Sequence, residues 1–246
     1  MNIGMTSSTF YNNDVDTVLK YAKTASICGI EWGEGKHIPF GDITTATNVL
    51  NKTIDCGIKI FSFASYYIPG EDMDFLKTLF VAKALGAPII RIWAGKESFD
   101  NIDSNKYNKI CKDSYDASIM AKEENIKVAF EYHQHSLTDN SKSALRLMND
   151  IGSDNIYLYW QPNGMLDVNG NSSELTDILP FLAGNIHIHN YKNEEYHSLE
   201  KIKTDLQTYF KILKKENKQF NALIEFTANN KFENFVEDVR ILKSVV

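Results

Sequence analysis

Two periodicities take turns along this chain. Short runs in which apolar residues dominate or alternate are followed by longer runs with apolar residues three and four apart, and the exchange repeats eight times. Period two sends successive side chains to opposite faces and marks a strand, whereas a stripe at i, i+3 and i+4 marks one face of a helix. The strand-type runs are Ile3–Thr6, Gly29–Gly33, Ile58–Ala64, Pro88–Trp93, the first half of Lys127–His135, Asn155–Trp160, Asn185–His189 and Ala222–Phe226. The first helix passes through Val15, Val18, Leu19, Ala22 and Ile27, with Asn13 or Asp14 to cap it. Ile43–Cys56, Met73–Leu85 with Gly86 to close it, and about Asn105–Glu124 read as the next three helices. Asp139 is the expected cap of a fifth through Ala144, Leu145, Leu147 and Met148. A short helix from Ser173 to Leu182, one over Leu199–Lys215 and one over Phe232–Leu242 complete the series.

Eight β–α units with no Pro/Gly/Ser linker between them predict an α/β fold, a single (β/α)8 TIM barrel over residues 1–246; such barrels typically have about 250 residues. The competing arrangement is a doubly wound open sheet. That would place a glycine-rich phosphate turn after the first strand, where this chain has Thr6-Ser7-Ser8-Thr9.

Composition narrows the partners. A formal net charge of −6 speaks against a general nucleic-acid surface, which needs clustered Lys and Arg. Cys28, Cys56 and Cys111 are odd in number and far apart, which argues against a disulfide framework or a thiolate zinc site and makes a reducing compartment the default. The start of the chain lacks the basic and apolar segments of a signal peptide, and no 18-residue apolar run is present. The expectation is a soluble cytoplasmic protein without a membrane partner, its oligomeric state left open.

The chemistry begins where a strand stops being apolar. Within Val128-Ala129-Phe130-Glu131-Tyr132-His133, alternation sends Ala129, Glu131 and His133 to one face. A carboxylate on the inward face costs several kcal/mol unless a cation or donors meet it. His187 and Glu225 repeat the situation on strands seven and eight. Each could be satisfied privately, by an internal Lys or Arg for the carboxylates. Three at matching strand ends favour one shared site, because barrel strands bring their carboxyl ends to a common mouth. Two carboxylates and one imidazole suit a divalent cation such as Mn, Mg, Co or Zn.

Around them stand side chains able to hold a polyhydroxylated ligand. His37 follows strand two, and His133 shares the face of Glu131. Arg91, inward on strand four, must find an anion in Glu131 or Glu31, which makes it an orienting group first and a substrate clamp second. Trp93 and Tyr66 are the aromatic residues placed to flank a sugar, whereas Trp32, Trp160, Phe63 and Tyr67 read as core.

Taken together, Gly29-Ile30-Glu31-Trp32-Gly33, Ile90-Arg91-Ile92-Trp93-Ala94-Gly95, Phe130-Glu131-Tyr132-His133, Asn185-Ile186-His187-Ile188-His189-Asn190 and Leu223-Ile224-Glu225-Phe226 resemble, in this order, the xylose-isomerase-like TIM barrels. That superfamily comprises sugar isomerases and epimerases and also the family 2 endonucleases acting at abasic sites. The resemblance implies one divalent metal held by Glu131, His187, Glu225 and a strand-six aspartate. At that last position this chain has Gln161, so ligation by an amide oxygen and a hydrogen bond to substrate or to Glu131 are both open. It also places His197 where related proteins hold a polar substrate contact. The activity implied is isomerisation or epimerisation of a sugar or polyol derivative through an enediolate, with Glu131 and Glu225 sharing the roles of base and acid in an order the sequence leaves open. An inosose-type dehydratase on the same scaffold and a non-catalytic sugar-binding barrel with a degraded metal site are the alternatives. Endonuclease activity is disfavoured by the acidic charge and by Gln161.

Overall fold

In the computed structural model, which describes residues 1–246, the eight strand-type runs close on themselves as a parallel barrel. Its strands are β1 (Asn2–Thr6), β2 (Gly29–Gly33), β3 (Lys59–Ala64), β4 (Ile89–Ile92), β5 (Lys127–Glu131), β6 (Ile156–Trp160), β7 (Leu182–Ile188) and β8 (Asn221–Ile224). The order around the barrel follows the sequence, and β8 pairs with β1 to close it. Outside it lie α1 (Val15–Ala25), α2 (Ile43–Asp55), α3 (Phe75–Leu85), α4 (Ser104–Glu123), α5 (Ser141–Ile151), α6 (Val168–Ile178), α7 (Lys203–Leu213) and α8 (Phe232–Val245). This is the (β/α)8 arrangement expected from the alternation.

Six of these helices start in the same way. Asp14, Asp42, Asp74, Asp103, Asn140 and Asp167 each accept a backbone N–H from the first turn of α1 to α6 respectively. A cap of this kind satisfies one of the orphan donors at a helix start and stabilises it by about 1 kcal/mol. The main core is the layer between helices and strands, where Trp32, Phe63, Phe130 and Trp160 are buried. A smaller apolar cluster of Ile89, Ala129, Tyr159 and Ala183 fills part of the barrel interior.

Three differences from the sequence reading bear on how the elements are held, and β7 also begins earlier, at Leu182 rather than Asn185. The cap of α5 is Asn140, whose Oδ1 accepts from Ser143 N at 2.9 Å, while Asp139 instead accepts from the Asn140 amide. Helix α6 starts at Val168 rather than Ser173 and passes into a 3-10 turn at Leu179–Phe181. Its polar first turn carries no apolar stripe, but Asp167 caps Gly170 N and the buried Asn171 amide donates to three carbonyls of the preceding loop. Strand β8 ends at Ile224, because Phe226 adopts φ +59° and turns the chain. Glu225 still extends the ladder by one bond, its N–H donating to the Ile188 carbonyl at 3.0 Å.

Where β2 and β3 pair, the register slips: Ile30 faces Ile60, but Glu31 faces Ser62. The extra residue is Phe61. Its ring occupies the barrel interior where Gly4 and Gly29 leave room, since a Cβ on either glycine would come within 2.8 Å of that ring. The bulge also turns Ser62 towards the interior, beneath the mouth.

Candidate active site

At the carboxyl ends of the strands a cavity of about 420 Å³ opens to solvent, lined among others by Arg91, Trp93, Glu131, His133, Gln161, His189 and Glu225. At its floor, ligand atoms of Glu131, His187 and Glu225 all lie within 4.8 Å of one another. His187 Nδ1 stands 3.1 Å from Glu225 Oε2 and 3.6 Å from Glu131 Oε1. Neither contact is aligned as a hydrogen bond, and Nδ1 is buried without a partner. Metal–ligand bonds of about 2.1 Å put neighbouring donors ~3–4 Å apart. Three donors that converge on a point without bonding one another fit a divalent cation.

The imidazole is held from behind. His187 Nε2 lies 2.8 Å from Glu31 Oε1, and Ser62 Oγ donates to Glu31 Oε2 at 2.7 Å. Glu31 and His187 are both fully buried. Burial pushes the His187 imidazole towards neutrality, but Glu225 and Glu31 outweigh it and hold its pKa well above the ordinary histidine range. Glu31 behaves in the opposite sense: burial raises it, and His187 and then Arg91 more than offset this, keeping its carboxyl below the usual range.

Glu131 has Arg91 beside it, Nη1 to Oε2 at 3.1 Å, with both side chains nearly inaccessible. The pair is Coulombic more than hydrogen-bonded, since Nη1 donates to the Ser65 carbonyl at 3.3 Å and Glu131 Oε2 accepts nothing. Burial alone would raise the Glu131 pKa; Arg91 and His187 reverse that and bring it down to about 2. Of the two anions anticipated for Arg91, Glu131 is the direct partner.

Gln161 lines the same cavity. Its Nε2 donates to the Tyr132 carbonyl at 2.7 Å, and its Oε1 is buried and accepts nothing. The amide therefore presents an acceptor, as either a ligand or a hydroxyl contact requires. His189 adds an unpartnered Nδ1, and burial shifts its ring towards the neutral form. Trp93 and His133 form one wall with rings 4.8 Å apart, and the half-exposed Tyr66 stands at the rim. The facing wall comes from a two-stranded ribbon, Tyr191–Lys192 with Glu195–Tyr196. Asn193 and Glu194 at its turn both have positive φ, 54° and 63°, the geometry that matches the twist of a tight hairpin. Tyr196 packs on Phe226 at 4.8 Å.

Two anticipated contacts lie elsewhere. His37 is buried against Trp32 and Tyr11, its Nε2 3.1 Å from the Asn13 carbonyl, and takes no part in lining the cavity. His197 faces back on its own ribbon, Nε2 to the Lys192 carbonyl at 3.2 Å, and is likewise outside. Both follow the end of a strand, where alternation no longer dictates direction. Glu31 was legible only as a possible partner for Arg91. The signal for more was there, an inward carboxylate on β2 like that on β5, but its imidazole partner lies 156 positions away.

A closed parallel barrel with an acid–imidazole cluster at its carboxyl mouth defines a class of (β/α)8 proteins built for small polar ligands. The sequence places the chain within that class: it belongs to the xylose isomerase-like TIM barrel family, whose profile matches residues 19–245. Among curated proteins, none matches the chain in sequence. Several solved structures share the fold at low identity. D-allulose 3-epimerase from Methylomonas sp., in complex with D-allulose, superimposes with a TM-score of 0.75 at 12% identity over 100% of this chain and 96% of its own. The probable 3-DHS dehydratase AsbF of Bacillus anthracis, involved in petrobactin synthesis, gives 0.75 at 16% identity, with 99% of each chain covered. The IOLI protein with a binding zinc atom gives 0.70 at 13% identity, over 100% of this chain and 96% of that one.

Proposed function

We propose that this protein is a divalent-metal-dependent isomerase or epimerase of a small, uncharged sugar or polyol derivative. The observation that carries the reading is the convergence of Glu131, His187 and Glu225 on one unbonded point at the floor of the cavity. These three residues would hold the ion, with Gln161 Oε1 as a fourth donor or as a hydroxyl acceptor. When bound, a divalent ion supplies the positive charge that stabilises an enediolate as it forms.

The protein's own groups supply the rest. Glu225 borders the cavity with no Lys or Arg paired to it and, once protonated, serves as the acid that returns a proton on the face opposite to the one where it is removed. Glu131, on a strand at the other side of the mouth and held ionised by Arg91 and His187, serves as the base that removes the proton next to the carbonyl. Its contact with Arg91 holds its carboxylate in one orientation. His133, His189 and Gln161 bond the substrate's hydroxyls, and Trp93 and Tyr66 cover its apolar face. Arg91 is the sole Lys or Arg lining the cavity, and it already faces Glu131, which favours a substrate without a phosphate. The three cysteines are free, and no helix is long and apolar enough to cross a membrane, in keeping with a cytoplasmic setting.

A dehydratase is the second reading. Loss of water from a hydroxyketone starts with the same proton removal, and a probable dehydratase shares the fold. The test is incubation of ketoses and inososes with metal-loaded protein in deuterated water, read by mass. Deuterium gain without loss of water supports the isomerase, and loss of one water supports the dehydratase. Absence of exchange, with metal content and ligand binding unaltered by Glu131→Gln, would leave a non-catalytic sugar-binding barrel.

A further inference from the structure

Beneath the mouth runs a chain of hydrogen bonds that the reaction itself does not use. Asn2 Nδ2 donates to Asn221 Oδ1 at 2.8 Å, and Asn221 Nδ2 donates to Asn185 Oδ1 at 2.8 Å. Asn185 Nδ2 donates to Ser62 Oγ at 3.1 Å, and Ser62 Oγ donates to Glu31 Oε2 at 2.7 Å. Its direction is set chemically. Asn185 Nδ2 also lies 3.2 Å from the Phe61 carbonyl, which can only accept, and 2.6 Å from the Tyr159 hydroxyl, so this amide cannot be reversed and its two hydrogens are shared among three oxygens. Ser62 Oγ faces the donor side of that amide and gives its single hydroxyl proton to Glu31. Every link therefore delivers a proton donor towards one carboxylate.

We propose that Glu31 is a positioning residue for the metal centre, the end of a polar chain along the barrel axis that fixes the orientation and tautomer of His187. The inference rests on the metal-centre reading above. An ionised carboxylate only accepts, so the 2.8 Å contact to Glu31 Oε1 requires the hydrogen on His187 Nε2. In the neutral ring the lone pair is then on Nδ1, the atom that faces Glu131 and Glu225. Ring rotation would break the Glu31 bond inside a site with no exposure. Outer partners of ligating histidines act in this way, fixing tautomer and ring plane and strengthening the donor. The chain adds cooperativity, because each donor polarises the next. The β3 bulge is what makes it complete, since strict alternation from the outward Ile60 through Phe61 would turn Ser62 outward.

The test is Co²⁺ titration of chelator-treated, full-length protein, followed by visible absorption, which reports ligand type and geometry. Glu31→Gln is expected to weaken Co²⁺ binding by about 10–100-fold and to alter the spectrum. Ser62→Ala is expected to give a smaller loss in the same direction. Glu34→Gln, which removes another buried carboxylate that does not touch His187, is expected to leave both affinity and spectrum at wild-type values. Melting curves of the metal-free variants serve as the control for folding. Wild-type affinity and spectrum in Glu31→Gln would overturn the proposal. Should that variant not fold, unchanged affinity in Ser62→Ala would overturn it instead. Failure of the wild-type protein to bind Co²⁺ would be a different result, one that removes the metal centre itself.

Discussion

Arg91 and Glu131 are each 5% exposed or less, and each is the other's nearest opposite charge. A buried pair of this kind is weak as a source of net stability, yet removing one member leaves an uncompensated charge and typically costs ~3–5 kcal/mol. Glu131→Gln is therefore expected to lower the urea stability of the metal-free protein by roughly that amount. Adding Arg91→Met should recover most of the loss, because the stranded guanidinium is gone. A double variant no more stable than the single one would contradict the pairing. The pH dependence follows the same residue. Its folded pKa of about 2 lies below the ordinary value of 4.5, so between these limits the folded state binds fewer protons than the unfolded one. The stabilisation is fully present above pH 4.5 and is lost as the pH falls towards 2. Melting of the metal-free protein across that window should show a steep limb that Glu131→Gln flattens. At this scale the sequence was informative wherever a strand's alternation reached the mouth, as at Glu131 and His187. It put His37 and His197 at the ligand, whereas both lie outside the cavity, because their direction depends on loop turns rather than on a period.

Helices and loops decide how firmly the mouth is assembled. Asp238 on α8 accepts from the Thr227 hydroxyl, next to Glu225 and Phe226, and from Leu199 N at 2.9 Å, just after the ribbon. One buried carboxylate thus ties the loops that follow β7 and β8. Asp238→Ala would leave the Leu199 amide buried without an acceptor, at a cost of about 1–3 kcal/mol. Amide exchange at Leu199 and across 225–228 should accelerate more than elsewhere, which hydrogen exchange can measure. Closer to the rim, Gly164 sits so tightly on the ribbon that a Cβ would fall 2.0 Å from the Tyr191 carbonyl oxygen. Gly164→Ala is expected to displace Tyr191 and weaken sugar binding, with little effect on metal affinity, a split that calorimetry with each ligand would show. Elements with an apolar stripe were legible in sequence, α4 and α5 among them. The start of α6 was not, because Val168-Asn169-Gly170-Asn171-Ser172-Ser173 is held helical by Asp167 and Asn171 rather than by any hydrophobic face.

For the molecule as a whole, eight repeats of strand and helix were enough to foretell the barrel, since few other packings bury eight parallel strands on both faces. The bulge was not foreseen. One surplus residue inside Ile58–Ala64 leaves the run just as apolar, yet it places Phe61 within the cylinder and Ser62 under Glu31. Gly29→Ala tests how tightly that interior is filled. Its Cβ would lie 2.6 Å from the Phe61 ring, an overpacking expected to cost ~1–3 kcal/mol in denaturation and to be relieved by adding Phe61→Leu.

The same phenyl ring lies against Gly4 and Gly29 inside the cylinder, and Ile89, Ala129, Tyr159 and Ala183 fill more of it. Traffic therefore has a single doorway, and a departing molecule must vacate the place that the next one needs. Reactant and product would exclude each other completely, so slopes but not intercepts of reciprocal rate plots would shift as product accumulates.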